Sequence, residues 1–162
     1  MGSYADDALF MSRNNIEYVE LISDDGKSKV MVIPAWQGRV MTTSAAGDEG
    51  DSYGWINYSF IKKRQIDLQF NPVGGEERFW LGPEGGVFSL YFRQGEKQIY
   101  KNWKVPPVLD IEAFKIQSQS KNCICLTKEG CLTNACGTTF YLNIKRTISL
   151  LDINEFAASF NL

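Results

Sequence analysis

Apolar and polar residues alternate with a period of two through most of the chain, the signature of strands with one buried face. Residues 16–22, 29–33 and 39–43 carry this pattern, separated by the turn signal Asp24-Asp25-Gly26 and by Pro34. Residues 87–92, 112–118, 122–127 and 138–151 carry it again. Helical spacing occurs only over residues 59–66 and in the tail from Asp152, a residue type suited to N-capping. The expected fold class is all-β, an antiparallel β-sandwich rather than a closed barrel. That domain is expected over residues 16–162, behind an N-terminal extension of residues 1–15.

The longest predicted strand, residues 138–151, sets Phe140, Leu142, Ile144, Ile148 and Leu150 on one face, toward a common core. Arg146 falls in the same row. One reading is a buried arginine paired with a carboxylate that holds sheet register, since an unpaired buried charge is costly. The other is a ligand contact on the concave face of a sheet.

Residues 71–86 break the alternation: Asn71-Pro72-Val73-Gly74-Gly75-Glu76-Glu77-Arg78-Phe79-Trp80-Leu81-Gly82-Pro83-Glu84-Gly85-Gly86. A segment this long without periodicity in a compact β domain is functional or disordered. Its two aromatics and two prolines argue for order, which makes it the centre of the candidate site.

Composition narrows the classes. A chain of 162 residues with 44% apolar and 22% charged residues is a folding, one-domain sequence. The net charge of -2 and pI near 5.2 leave no basic footprint for a phosphate backbone, with Lys62-Lys63-Arg64 standing alone, so nucleic acid is not an expected partner. No apolar run approaches the roughly 20 residues of a membrane span. Residues 1–13 lack both a basic start and an apolar stretch, so no secretory leader is visible. That pattern fits a cytoplasmic protein or a mature periplasmic or extracellular one whose leader was replaced, an origin that the Met1-Gly2-Ser3 start would suit. The aromatic share of 13%, with four Trp and ten Phe, permits carbohydrate binding, because sugar rings stack on flat aromatic faces, although such residues also fill cores.

The chain has no histidine, which removes imidazole acids and bases, Ser-His-Asp and Cys-His sites and His-containing zinc sites. Acid-base work falls to carboxylates, and Glu76, Glu77 and Glu84 are the candidate catalytic residues, since glycoside chemistry uses carboxylate pairs. The competing reading has Glu76 and Glu84 bonding loop amides or pairing with Arg78. The glycine pairs match neither a phosphate loop nor a dinucleotide fingerprint, and no cofactor is expected.

Cys123, Cys125, Cys131 and Cys136 lie within fourteen residues. Their spacing fits zinc templates poorly, and no metal is expected. If Lys128-Glu129-Gly130 forms a three-residue hairpin loop with Gly130 left-handed, Cys123, Cys125 and Cys131 share one sheet face. They then read as free, small core residues, with a disulfide or a metal as the alternatives.

The segments Val30-Met31-Val32-Ile33-Pro34-Ala35-Trp36-Gln37-Gly38-Arg39-Val40-Met41 and Gly54-Trp55-Ile56-Asn57, with the block at residues 71–86, resemble the N-terminal half of bacterial galactose mutarotase-like proteins of the aldose 1-epimerase superfamily. The likeness is to an uncharacterised branch with a Gly-Gly-Glu-x-Arg-Phe-Trp-Leu-Gly-Pro-Glu-Gly-Gly block, and it spans about residues 16–151. The resemblance implies a large β-sandwich, the supersandwich, that binds sugar across a concave sheet. It implies that Arg78 binds sugar hydroxyls and that Trp80 and Trp36 offer stacking surfaces; Asn71, from the 71–86 segment, and Arg146, on the ligand reading of its row, are further candidate substrate contacts. The epimerases' catalytic histidines have no counterpart here, and their general-base carboxylate comes from a C-terminal half that this chain does not contain. By the resemblance the chain reads as half of the domain, incomplete at its C-terminal end. The expected function is sugar binding or, in a longer form, epimerase- or mutarotase-like activity. The alternative is a non-catalytic binding module or a subunit that self-assembles through exposed strand edges.

Overall fold

In the computed structural model, which describes residues 2–151 and 156–158, the Asp24-Asp25-Gly26 signal makes the turn it predicts. Asp25 Oδ1 accepts from the Ser23 hydroxyl at 2.6 Å and from the Lys27 amide at 3.0 Å, and Gly26 takes the left-handed φ of 73°. The turn joins β1 (Val19–Ile22) to β2 (Lys29–Ile33), with Val19 opposite Val32 and Ile22 opposite Lys29. A single 3-10 turn, Pro34–Trp36, then leads through Gln37 and Gly38, both left-handed, into β3 (Arg39–Ser44). These strands form a three-stranded antiparallel sheet in the order β1-β2-β3.

Every residue of β2 is buried, because both faces of this sheet are covered. Val30 and Val32 face one apolar cluster, Met31 and Ile33 the other. The second cluster is closed by helix α1 (Tyr4–Arg13), whose Tyr4 and Met11 are fully buried on it. The helix starts where Ser3 accepts from the Asp6 amide and Asp6 accepts from the Ser3 amide, a reciprocal capping box. The segment read as an N-terminal extension thus packs into the core of the first sheet.

The second sheet is β4 (Lys115–Gln119), β5 (Cys123–Thr133) and β6 (Thr139–Ser149), again antiparallel in the order β4-β5-β6. Ile124, Leu126, Leu132 and Ile144 from this sheet meet Leu21, Val30 and Val32 from the first, with Tyr91, Leu109 and Phe114 from the intervening segment in the same cluster. The fold is therefore mostly strand with few, short helices, as the alternation predicts. The β6 row behaves as read: Leu142, Ile144, Ile148 and Leu150 join this core, while Phe140, at the open end of the row, stays 45% exposed.

Several expectations are corrected. The segment 128–130 is not a hairpin loop, because β5 runs straight through it and the turn falls at residues 134–138, where Gly137 takes a φ of 90°. Gly130 serves packing instead: a Cβ there would sit 2.9 Å from Val108 Cγ2. Cys123, Cys125 and Cys131 do share a face, but it is the outer one, opposite Ile124, Leu126 and Leu132; Cys125 alone is buried, and Cys131 and Cys136 are exposed. All four thiols are free. Residues 87–92 form no strand; Leu90 donates back to the Pro83 carbonyl and Ser89 to that of Gly86, so backbone groups that a strand would offer to a neighbour close turns instead. Helix α2 is Tyr58–Lys62, shorter than predicted. In the tail, Asp152 lies outside the described residues, and residues 156–158 are helical.

Candidate functional site

The loop of residues 71–86 is ordered by the edge of the first sheet. Isolated bridges tie Glu77 to Val40 and Gly74 to Ile56. Gly74 and Gly75 have φ of 97° and 110°, and side chains there would collide with the Trp55 carbonyl at 2.2 Å and with Arg39 Cδ at 2.8 Å. Only a glycine pair lets this loop close over Arg39.

The three glutamates of the loop go to three separate partners. Glu76 accepts from the Thr43 amide at 2.5 Å and from the Thr43 hydroxyl at 3.0 Å. Glu77 pairs with Arg146 at 2.5 Å, the carboxylate partner that the apolar row around Arg146 demanded, and Arg146 also donates to the Gly38 carbonyl at 3.2 Å. Glu84 accepts from the Trp80 indole at 2.8 Å. The fold does not gather them into one carboxylate site.

Three arginines sit close together instead. Arg39, 2% exposed, donates to the Gly74 carbonyl at 2.6 Å and to Gln37 Oε1 at 3.4 Å, and among the described residues makes no ion pair. Burial, with Arg78 and Arg146 nearby against the opposing charges of Asp110 and Glu77, pushes its pKa down to about 10, so it stays charged at neutral pH. Arg78 donates to the Leu109 carbonyl at 2.7 Å and to Asp110 at 3.4 Å, with its guanidinium 4.0 Å from the Trp80 ring centroid and 5.3 Å from that of Phe70. Trp80 also lies 5.2 Å from the Tyr91 ring, which itself stacks on Trp103 at 5.5 Å. Arg78 and Trp80 are thus engaged with each other and with the interior.

The predicted contacts that share a cavity are Trp36 and Asn71. They line a cleft of about 310 Å³ between the 3-10 turn after β2, helix α2 and residues 110–111, together with Asp110, Ile111, Ile61 and Arg64. Asp110, 5% exposed, is held on one oxygen by the backbone and side-chain amides of Asn71, at 2.9 and 2.7 Å, and on the other by Arg78. Burial is the larger influence and holds its pKa above the ordinary carboxylate range against those bonds. Asp110 is the polar centre of the cleft, and sequence reading passed over it. Its one available signal was a lone carboxylate after Pro106-Pro107-Val108-Leu109, a run otherwise apolar.

Among the described residues no group of His, Cys, Asp or Glu is placed to hold a metal ion, and no helix is long and apolar enough to cross a membrane. Neither a curated protein nor a solved structure matches the chain. One family model does, over residues 2–162, and by that match the chain belongs to DUF6786, a family of unknown function.

Proposed function

We propose that this chain is a carbohydrate-binding protein built as a β-sandwich of the galactose mutarotase-like type, with a sugar ring seated in the cleft of Trp36, Asn71 and Asp110. The observation that carries the reading is an aromatic wall beside a buried, doubly anchored carboxylate in a cleft of about 310 Å³. Small-molecule sites combine apolar walls with a few fixed polar groups, at volumes of roughly 300–1,000 Å³. An indole face suits the C–H face of a pyranose. Asp110 keeps acceptor capacity on the oxygen that, among the described residues, accepts from Arg78 alone, at 3.4 Å, enough for a sugar hydroxyl. Arg78 acts through Asp110 as a positioning residue.

Titration with hexoses, followed by tryptophan fluorescence, tests this. Saturable binding lost in Trp36→Ala, with the far-UV dichroism unchanged, is expected; no saturable response, or a response indifferent to Trp36, would overturn the reading. Polarimetry on fresh α-galactose is expected to show no acceleration of mutarotation. That chemistry needs one group to protonate the ring oxygen while another takes the anomeric proton. The glutamates are dispersed and the chain has no histidine.

A second reading, an assembly subunit, is favoured by one observation: among the described residues no strand pairs with the outer edge of β6.

A further inference from the structure

A second cleft, of about 540 Å³, lies between residues 90–96, residues 102–107 and the end of β5. Its charge runs against that of the chain. The molecule as a whole is acidic, at net -2, yet Arg93 and Lys104 line this cleft and neither forms an ion pair among the described residues. The one carboxylate in the lining, Glu96, is turned to the Arg93 amide at 3.4 Å. Asn134, at 3% exposure, also lines the cleft. Its Oδ1 accepts from the Thr138 amide at 2.9 Å and from Cys136 Sγ at 3.0 Å, which fixes the orientation of its amide. Tyr91 and Leu68 supply apolar wall.

Two cations and the side-chain amide of Asn134, brought from three separate segments, line a space large enough for a monosaccharide. A guanidinium and an ammonium without carboxylate partners favour an anion that carries its charge on oxygen, and guanidinium meets a carboxylate in two parallel hydrogen bonds. The apolar wall accepts a ring rather than a bare ion. We propose that this cleft binds a hexuronate, with the sugar carboxylate on Arg93 and Lys104 and a ring hydroxyl or ring oxygen on Asn134. The sugar identity rests on the carbohydrate reading above; the anion preference rests on this cleft alone.

Isothermal titration calorimetry with galacturonate, galactose, acetate and sulfate separates the outcomes. Galacturonate is expected to bind saturably and more weakly as salt rises, and to lose about tenfold in affinity in Arg93→Gln and in Lys104→Gln, the loss of roughly one charge-assisted hydrogen bond. Both side chains are exposed, so neither change threatens folding. Trp36→Ala should leave galacturonate binding intact while abolishing that of galactose, so failure of the first cleft and failure of this one read differently. Equal affinity for acetate or sulfate would reduce the cleft to a simple anion site and overturn the hexuronate. Galacturonate binding that is absent, or that depends on Trp36 and not on Arg93, would overturn it as well.

Discussion

At the scale of single residues, the buried charged side chains Asp7, Lys29, Arg39 and Asp110 each bond to a partner, and sequence reveals the need better than the partner. Arg146 in an apolar row had to find a carboxylate, and it did, but in Glu77, sixty-nine residues away in the chain. The fate of Asp7 was invisible because it depends on three segments meeting. Buried at 2% exposure in α1, Asp7 accepts on one oxygen from the Ser52 hydroxyl and on the other from that of Tyr58, while Ser52 shares a hydrogen bond with Thr42 of β3 at 2.5 Å. Burial, followed by the hydrogen bond to Asp7 and its charge, raises the Tyr58 pKa from 10.0 to about 12. The folded chain therefore keeps this proton in a window where the unfolded chain has lost it, and stability falls as pH rises through that window. We expect Tyr58→Phe to cost about 1–2 kcal/mol at neutral pH, as loss of a hydrogen bond to a charged group does. The variant should also lack the part of the alkaline decline that Tyr58 causes. Urea denaturation at neutral pH and across pH 10 to 12 measures both, and parallel alkaline slopes for the two proteins would reject the assignment.

At the scale of elements, alternation located strands well wherever a neighbour existed to pair with them. Lys29–Ile33 was legible to the residue, and the β6 pattern to within one or two. Residues 87–92 carry the same alternation but pair with no strand among the described residues, and glycines on their N-terminal side let them close turns. Helix α1 lies where the alternation predicts only an extension, and helical spacing over residues 59–66 and the tail does not anticipate it, although Ser3 with Asp6 three residues on and the stripe Tyr4, Ala8 and Met11 mark it. Gly130 misled because a glycine reads as a turn unless its neighbours in space are known. In the strand it makes room for Val108, so Gly130→Ala should cost about 1–3 kcal/mol by overpacking, although alanine in a strand interior would otherwise gain stability. The double variant with Val108→Ala should be less destabilised than the sum of the two single changes, since the added methyl fills the space the valine leaves. Additive losses in chemical denaturation would mean that Gly130 and Val108 do not share that contact.

At the scale of the whole molecule, the two sheets differ in how their edges are closed, and this could not be read from the alternation of any one strand. The open side of β3 is covered by Glu76 and Glu77, which bond Val40 through their backbones, and by the Tyr53 amide, which donates to the Thr43 carbonyl at 3.2 Å. The outer edge of β6 spans eleven residues, Thr139–Ser149, and among the described residues it pairs with nothing. Beside it an apolar hollow of about 230 Å³ is lined by Phe88, Leu90, Phe140 and Leu142. An unpaired edge with an apolar inner row is a template for strand addition. The row also tolerates its own copy. A symmetric antiparallel pairing about Ile144 sets Phe140 against Ile148, Leu142 against Arg146 and Asn143 against Lys145, so no like charges face each other. We therefore expect concentration-dependent dimers by sedimentation velocity. Phe140→Lys, at a residue already 45% exposed, should weaken them by about tenfold or more without unfolding the monomer. A matched change at an exposed aromatic beside the first sheet, Tyr53→Lys, should leave the association untouched. A strictly monomeric chain at high concentration, or dimers equally weakened by both substitutions, would rule out β6 as the interface and with it the assembly reading.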